Sequence, residues 1–238
     1  MIDKLNKENG GDYGVTIVQP LTGGLVDKLN AQDGRYSLYL RGLLKGEKVE
    51  ETRIVDCVTR GINPYTNTDE FFDCAKNPDL RFIVSNTTEA GIEYKPNQNP
   101  DDFNGLTFPG RLTLFMKKRF DEGLGGFILL PCELIDKNGD NLKECILKYS
   151  VDWGYGGEFE KWIETENHFT NTLVDRIVTG YPRDNAKEME QSYGYLDDMI
   201  DTAEIFHLWV IEGDKKLAEE IPFHKIGLNV LWTDDVTP

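Results

Sequence analysis

The chain has 238 residues, with 26 Lys and Arg against 42 Asp and Glu and a formal net charge of −16 at pH 7. Hydrophobic residues make up 39% of the chain, which is enough to build a core and excludes general disorder. The acidic balance argues against a nucleic-acid partner, and apolar runs such as 127–131 are too short to cross a membrane.

Strand and helix signals alternate along the chain. β-branched or alternating apolar runs indicate the strands, and apolar residues at three- and four-residue spacing indicate the helices. The elements predicted up to residue 153 are, in chain order, the tail of a helix at 1–7, a buried strand at 15–18, a hairpin of 36–41 and 49–58 joined at 45–48, a helix at 69–75, a strand at 81–85, a helix at 111–120, a strand at 126–130 and a helix at 138–153. This succession predicts an α/β, Rossmann-like fold with a mainly parallel sheet and helices on both faces.

After Gly154, the regular alternation of strand and helix signals ends. The remaining predicted elements are a helix at 158–166, an apolar run at 172–178, a helix at 185–191 and strand-like aromatic runs at 205–211 and 228–232. We therefore expect one Rossmann-like domain over residues 1–238, in which residues 154–238 form an extension.

Both ends of the sequence predict a truncated domain. Residues 1–7 read as the second half of an amphipathic helix, and only a short acidic tail at 234–238 follows the final strand signal. The alternative is a natural short helix and a frayed tail.

Loops that follow predicted strands are the candidate site, because ligands of such sheets bind beyond the carboxyl ends of the strands. The loop 86–91 offers Asn86, Thr88 and Glu89, and is either a contact for a nucleotide ribose or an ordinary turn with capping hydroxyls. Glu133 follows the next strand, where it is either a partly buried carboxylate with a raised pKa or a cap of the following helix.

Asp175 and Arg176 stand inside the apolar run 172–178. A charge pair there is either a structural salt bridge or part of a pocket for a polar substrate. The three histidines, His168, His207 and His224, are isolated in the sequence, and the four cysteines form no CxxC pair. We therefore expect no zinc site, and the cysteine usage favours a reduced, cytoplasmic compartment.

Several long segments, in the same order, resemble one known family. These segments are FIVSNTTEAGI at 82–92, LPCELIDKNG at 130–139 and NTLVDRI at 171–177, flanked by NAQDGRY at 30–36 and PFHKIGLN at 222–229. Together they are similar to the mannitol dehydrogenase (long-chain polyol dehydrogenase) family, in its altronate oxidoreductase or tagaturonate reductase branch. The resemblance runs over essentially the whole chain and implies a metal-free, nicotinamide-dependent oxidoreductase that acts on a sugar acid.

The resemblance also implies roles for individual residues. Implied cofactor contacts are Gln19, Asn86, Thr88 and Glu89, and implied substrate contacts are Glu133, Asn171, Asp175 and Arg176. NAD is the implied cofactor, but NADP stays open because no carboxylate stands between the strand at 15–18 and Asp27. Leu134 departs from relatives that carry an asparagine there to steady the developing alkoxide, since leucine cannot donate a hydrogen bond.

Family members begin with a strand and a glycine-rich phosphate turn, and they end with a helical domain that supplies a catalytic lysine. The resemblance implies that both pieces lie outside these 238 residues, so no catalytic residue is expected in the chain. The leading hypothesis is an inactive fragment of an enzyme that interconverts D-tagaturonate and D-altronate. The alternative is a non-catalytic binding or interaction module, and surface meant for the missing helices would favour homo-oligomers.

Overall fold

The computed structural model describes residues 1–44, 46–234 and 236. Lys45 of the predicted hairpin turn, and Asp235, Thr237 and Pro238 of the predicted tail, lie outside the described residues. The chain forms two compact units. The first comprises Met1–Ile62, Asp175–Trp209 and Glu219–Val230, and the second comprises Asn63–Val174, Val210–Ala218 and the described residues from Leu231 onward.

Helices and strands alternate over much of the chain. The helices are α1 (Ile2–Asn9), α2 (Val26–Ala31), α3 (Thr68–Ala75), α4 (Phe108–Asp121), α5 (Asn138–Asp152), α6 (Gly157–Glu166) and α7 (Ala186–Tyr193). The strands are β1 (Val15–Val18), β2 (Tyr36–Leu44), β3 (Glu47–Val55), β4 (Val58–Ile62), β5 (Phe82–Ser85), β6 (Ile128–Pro131), β7 (His168–Phe169), β8 (Thr172–Asp175), β9 (Val178–Gly180), β10 (Asp201–Glu204), β11 (Leu208–Glu212) and β12 (Val230–Thr233).

The first unit contains a parallel pair and a mixed sheet. β1 runs parallel to β4. The second sheet has the order β3-β2-β10-β9, with β2 parallel to β10 and antiparallel to β3. The predicted hairpin is confirmed, because Tyr36 pairs with Val55 and the register continues to the turn. The prediction of a buried strand at 15–18 is wrong in its burial, since Val18 is 38% exposed.

Local sequence signals explain where helices begin and end. α1 ends at Gly10, which adopts the left-handed conformation (φ 65°) that glycine permits without strain. α3 begins after Asn67, whose side-chain oxygen accepts a hydrogen bond from the Glu70 amide, as expected for an N-cap.

The second unit is built on a parallel sheet with the order β5-β6-β7. β6 lies between its two neighbours and is buried along its whole length, which confirms the strand predicted at 126–130. Gly126 precedes it at a close approach of two backbone segments, where an added Cβ would lie 2.0 Å from the Glu166 carbonyl oxygen. Helices α4 and α5 contribute buried apolar side chains to this unit, among them Leu112, Phe115, Met116, Leu142, Ile146 and Tyr149.

The parallel pairs and the helices together form a Rossmann-like α/β fold. The strand-like runs at 205–211 and 228–232 are confirmed in part as β11 and β12, which join β8 in a sheet of order β12-β11-β8. The extension from residue 154 stays a prediction. No helix in the described part of the chain has both the length and the apolar character that a bilayer crossing requires.

His207, in the first unit, is held in its neutral form by its neighbours. Its Nε2 accepts a hydrogen bond from the Asn229 amide at 3.2 Å, and its Nδ1 lies 3.3 Å from the Ile205 carbonyl oxygen. This pattern requires the proton on Nδ1 and an unprotonated Nε2. Burial lowers the pKa of His207 below its ordinary value, and the positive charges of Arg176 and Lys4 lower it further.

Because the folded pKa of His207 is lowered, the unfolded chain binds the proton more readily than the folded chain. The resulting stability is fully present above the ordinary histidine pKa of about 6.5 and is lost as the pH falls through the lower folded value. We therefore predict that His207→Gln shows a shallower decline in the free energy of unfolding below about pH 6.5. Urea unfolding measured from pH 8 downward tests this, with pH 8 as the reference that isolates titration from lost contacts. Parallel curves for the two proteins would contradict it.

Candidate functional site

The carboxyl ends of β5, β6 and β7 lie at one edge of their sheet, because the three strands are parallel. The segments that leave this edge, 86–91, 132–137 and 170–171, all belong to the second unit. They include Asn86, Thr88, Glu89, Glu133 and Asn171 from the sequence prediction. Gln19, Asp175 and Arg176 belong to the first unit and are described separately.

Glu133 is a buried carboxylate whose oxygens both accept hydrogen bonds. Oε2 accepts from the Ser85 hydroxyl at 3.0 Å, and Oε1 accepts from the Thr87 amide at 3.0 Å and the Thr87 hydroxyl at 2.9 Å. The residue is 1% exposed, so it is more deeply buried than predicted. The alternative of a helix cap is wrong, because the N-cap of α5 is Lys137 and the Glu133 carboxylate accepts from Ser85 and Thr87 instead of from amides of α5.

Asn138 connects the segments around Glu133. Its Nδ2 lies 3.0 Å from the carbonyl oxygens of Pro131 and Glu133 and 2.9 Å from that of Thr172. Its Oδ1 accepts from the amides of Gly139 at 2.9 Å and Thr172 at 2.8 Å. Asn138 is 0% exposed, so its amide is satisfied by these backbone groups rather than by water. The carbonyl oxygens of Glu133 and Pro131 also accept from the Ile135 amide and the Thr172 hydroxyl.

The sequence analysis missed Asn138. An asparagine followed by glycine at the start of a helical pattern resembles an ordinary cap, and only folding brings Thr172 next to it. The adjacent Gly139 gives a further indication of this contact, because an added Cβ would lie 2.3 Å from the Thr170 carbonyl oxygen.

Asn171 is also buried and used within the protein. Its Oδ1 accepts from the Asp140 amide at 3.1 Å, and its Nδ2 donates to the Asp140 carboxylate at 3.3 Å. The side chain therefore satisfies a free amide in the first turn of α5. A direct substrate contact from Asn171 stays a prediction.

The loop 86–91 presents three exposed polar side chains, those of Asn86, Thr88 and Glu89. In the described part of the chain, none of these side chains makes a hydrogen bond. The turn itself is closed, because the Gly91 amide donates to the Thr88 carbonyl oxygen at 2.9 Å. These donors and the Glu89 carboxylate are therefore free to meet a polar ligand.

In the first unit, Gln19 is buried and shapes the turn that follows β1. Its Nε2 donates to the Leu21 carbonyl oxygen at 2.8 Å and lies 3.3 Å from that of Thr22. These contacts occupy its amide, so a cofactor contact from this side chain stays a prediction.

Of the two alternatives for Asp175 and Arg176, the salt bridge between them is absent among the described residues. Asp175 is exposed and makes no side-chain hydrogen bond or ion pair among the described residues. Arg176 instead donates through Nε and Nη2 to the Glu204 carbonyl oxygen, at 3.2 Å and 3.1 Å. Arg176 lies just past the last residue of β8, Asp175. Burial lowers the pKa of the Arg176 guanidinium, while the carboxylates of Glu204 and Asp201 act to raise it.

The cysteines give no indication of nucleophilic or metal chemistry. Burial raises the pKa of Cys132, beside Glu133, to about 12, so its thiol stays protonated at neutral pH. Across the described ranges, no group of three or more His, Cys, Asp or Glu side chains is placed to hold a metal ion.

Replacing Asn138 tests how far this edge depends on one amide. Asn138→Ala leaves two buried amides without an acceptor, and we predict a loss of about 2–4 kcal/mol in the free energy of unfolding. The matched control is Asn141→Ala, because Asn141 is exposed and makes a single bond to the Asp136 carbonyl oxygen; its loss should stay within about 0.5 kcal/mol. Urea unfolding measures the free energy of unfolding of both variants. Equal losses would contradict the dependence of this edge on the Asn138 amide.

Solved structures with the same fold are dehydrogenases. The substrate-free D-sorbitol dehydrogenase superposes with a TM-score of 0.79 at 24% identity, over 98% of this chain and 50% of that one. The Pseudomonas fluorescens mannitol 2-dehydrogenase ternary complex with NAD and D-mannitol superposes with a TM-score of 0.80 at 21% identity, over 99% of this chain and 49% of that one. At these identities the likeness establishes the fold alone.

Curated relatives are more similar in sequence. The altronate oxidoreductases of Enterobacter sp. (strain 638) and Shigella flexneri are each 45% identical over 242 residues, covering 100% of this chain. The chain spans about half the length of these relatives, 50% in each case. The family model for the mannitol dehydrogenase Rossmann domain matches residues 1–225. The chain therefore belongs to the mannitol dehydrogenase family, through its Rossmann domain.

Proposed function

We propose that the chain is the nucleotide-binding part of an NAD-dependent oxidoreductase that interconverts D-altronate and D-tagaturonate. One observation carries the proposal: the free polar loop 86–91 stands at the carboxyl edge of a parallel sheet, in a chain 45% identical to altronate oxidoreductases. NAD is supported by the ternary complex of the structural relative, which contains it. NADP is the second choice.

The residues of the second unit fit a dinucleotide. Asn86 and Thr88 present an amide and a hydroxyl with no partner in the described part of the chain, and Glu89 adds a carboxylate that can accept from ribose hydroxyls. When bound, the nicotinamide supplies or accepts the hydride. The chain's contribution is to bind and orient the ring, because the position of the reacting carbon relative to the carbonyl decides the rate.

Substrate recognition is proposed for Asp175 and Arg176. The exposed Asp175 carboxylate can accept hydrogen bonds from substrate hydroxyls. The Arg176 guanidinium still has donors beyond the two that reach Glu204, and these suit a sugar carboxylate. For Glu133, Asn171 and Gln19, the contacts within the protein favour a supporting role.

Proton transfer is proposed to come from a lysine outside these 238 residues, as the family resemblance implies. Polar atoms of Glu133 and Asn171 are already used within the protein, and Cys132 stays protonated. The proposal is that the general acid and base of the reaction are supplied from outside this chain. The proposal places the protein in the cytoplasm, with no nucleic-acid partner at a net charge of −16. It also allows association of copies through exposed apolar residues such as Leu196.

The proposal is tested by comparing the 238-residue chain with the protein translated from the complete gene. We predict that the complete protein reduces NAD with D-altronate, and that the chain alone shows no measurable turnover. Absorbance of NADH measures both reactions, and calorimetry measures nucleotide and sugar-acid binding by the chain. Turnover by the chain alone would contradict the placement of the base. Specific binding with no activity in either protein would support the non-catalytic module instead.

Substitution of Asp175 tests the proposed substrate contact. We predict that Asp175→Asn in the complete protein lowers kcat/KM for D-altronate at least about tenfold, because a charge-assisted hydrogen bond is lost. The dissociation constant for NADH should stay unchanged. Asp184→Asn, which removes another exposed carboxylate of the first unit, should leave both values unchanged. Equal effects of the two substitutions would contradict a specific role for Asp175.

A further inference from the structure

We propose that Glu133 is a positioning residue that holds the loop 86–91 in the shape that binds the nicotinamide nucleotide, and that it is not a substrate contact. The nucleotide part of this inference rests on the proposed function. The holding of the loop rests on the geometry of the second unit alone.

The Glu133 charge is stabilised by hydrogen bonds from the start of the loop 86–91 and from Ser85. Its carboxylate is 1% exposed and forms no ion pair with any Lys, Arg or His of the described ranges. Burying a charge is costly unless hydrogen bonds replace the lost water. Here the replacements are the Ser85 hydroxyl and the Thr87 amide and hydroxyl. The carboxylate and the start of the loop therefore hold each other in place.

The Glu133 backbone is itself fixed by hydrogen bonds of its neighbours. The Cys132 amide donates to the Ser85 carbonyl oxygen at 2.7 Å, which extends the β5–β6 pairing up to Glu133. The Glu133 carbonyl oxygen accepts from Asn138 at 3.0 Å and from the Ile135 amide at 2.8 Å. The Glu133 backbone is thus held in place by hydrogen bonds, and its carboxylate constrains the loop 86–91.

Thr87 connects the Glu133 carboxylate to the exposed residues of the loop. The Gly91 backbone lies against the Thr87 hydroxyl so closely that an added Cβ would be 1.7 Å from its Oγ1. Together with the bond between Gly91 and the Thr88 carbonyl oxygen, this closes the turn over Thr87. Thr88 and Glu89 are held in place although their own side chains bond to nothing among the described residues. Such preorganisation lowers the cost of ordering a loop when a ligand binds.

A substrate contact would require Glu133 to expose an oxygen. Oε1 already accepts two hydrogen bonds and Oε2 accepts one, and the residue is 1% exposed. A sugar hydroxyl could reach the carboxylate only after the loop had moved away. A positioning role therefore predicts that substitution of Glu133 weakens nucleotide binding. A substrate contact predicts instead that it weakens binding of the sugar acid and leaves nucleotide binding unchanged.

The test is Glu133→Gln in the complete protein, because a neutral amide accepts hydrogen bonds more weakly than a charged carboxylate and has one acceptor oxygen in place of two. In the absence of nucleotide, we expect hydrogen–deuterium exchange of the amides in loop 86–91 to accelerate at least about tenfold. Weakening the hydrogen bonds to a buried carboxylate costs about 1.4 kcal/mol or more, which corresponds to a factor of about ten. We also expect the dissociation constant for NADH, measured by fluorescence, to rise at least about tenfold. Exchange in α4 and α5 should be unchanged, which excludes global unfolding.

Two further substitutions separate positioning from general destabilisation. Glu144→Gln is the matched control, because Glu144 is an exposed carboxylate on α5 paired with Lys148; it should change neither the loop nor the affinity. Thr87→Val removes the hydroxyl that donates to Glu133 and keeps the amide. Combined with Glu133→Gln, it should add little to the loss of NADH affinity, because the two side chains act through the same contact.

Each outcome decides the inference. Unchanged exchange in Glu133→Gln overturns the holding of the loop, whatever happens to the nucleotide. Faster exchange with unchanged NADH affinity overturns the role in nucleotide binding. A rise in KM for D-altronate alone, at constant NADH affinity, would restore Glu133 as a substrate contact. If the unaltered protein binds no nicotinamide nucleotide, the proposed function fails and the nucleotide part fails with it, while exchange still decides the holding of the loop.

Discussion

The edge of the sheet in the second unit depends on one buried amide. Asn138 is 0% exposed and holds the backbone at the end of β6, at Glu133, at the start of α5 and at β8. Its Oδ1 accepts from the buried amides of Gly139 and Thr172, and a buried amide that loses its acceptor is costly. A single side chain therefore fixes the relative positions of the segments from which the proposed site is built.

A chain of contacts connects Asn138 to the exposed loop 86–91. Asn138 fixes the Glu133 backbone, the Glu133 carboxylate fixes Ser85 and Thr87, and Thr87 contacts Gly91 within the turn. Buried residues thus use up their polar groups within the protein, while Asn86, Thr88 and Glu89 keep theirs free. This division separates the residues that support a site from those that can bind a ligand, and the sequence pattern alone did not distinguish them.

Prediction from the sequence succeeded where a local signal was strong. The β6 strand is a continuous apolar run, and α5 repeats its apolar residues at helical spacing, so both were found close to their bounds. α2, β4 and β10 were missed. α2 has six residues, too few to show a period. β4 contains arginine and glycine, and β10 contains two carboxylates, so their pairing with β1 and β2 makes them strands rather than their composition.

The sequence by itself determined the α/β class, most helices and strands, and the family, because periodicity and long motifs are properties of neighbouring residues. Only the tertiary structure decided the partners of the polar side chains. Glu133 meets Thr87 across 46 positions and Asn138 meets Thr172 across 34, and no local pattern specifies contacts at that separation. Arg176 likewise turned to the Glu204 backbone rather than to its neighbour Asp175. Such contacts form only when the packing of the core brings the ends of distant strands to the same place.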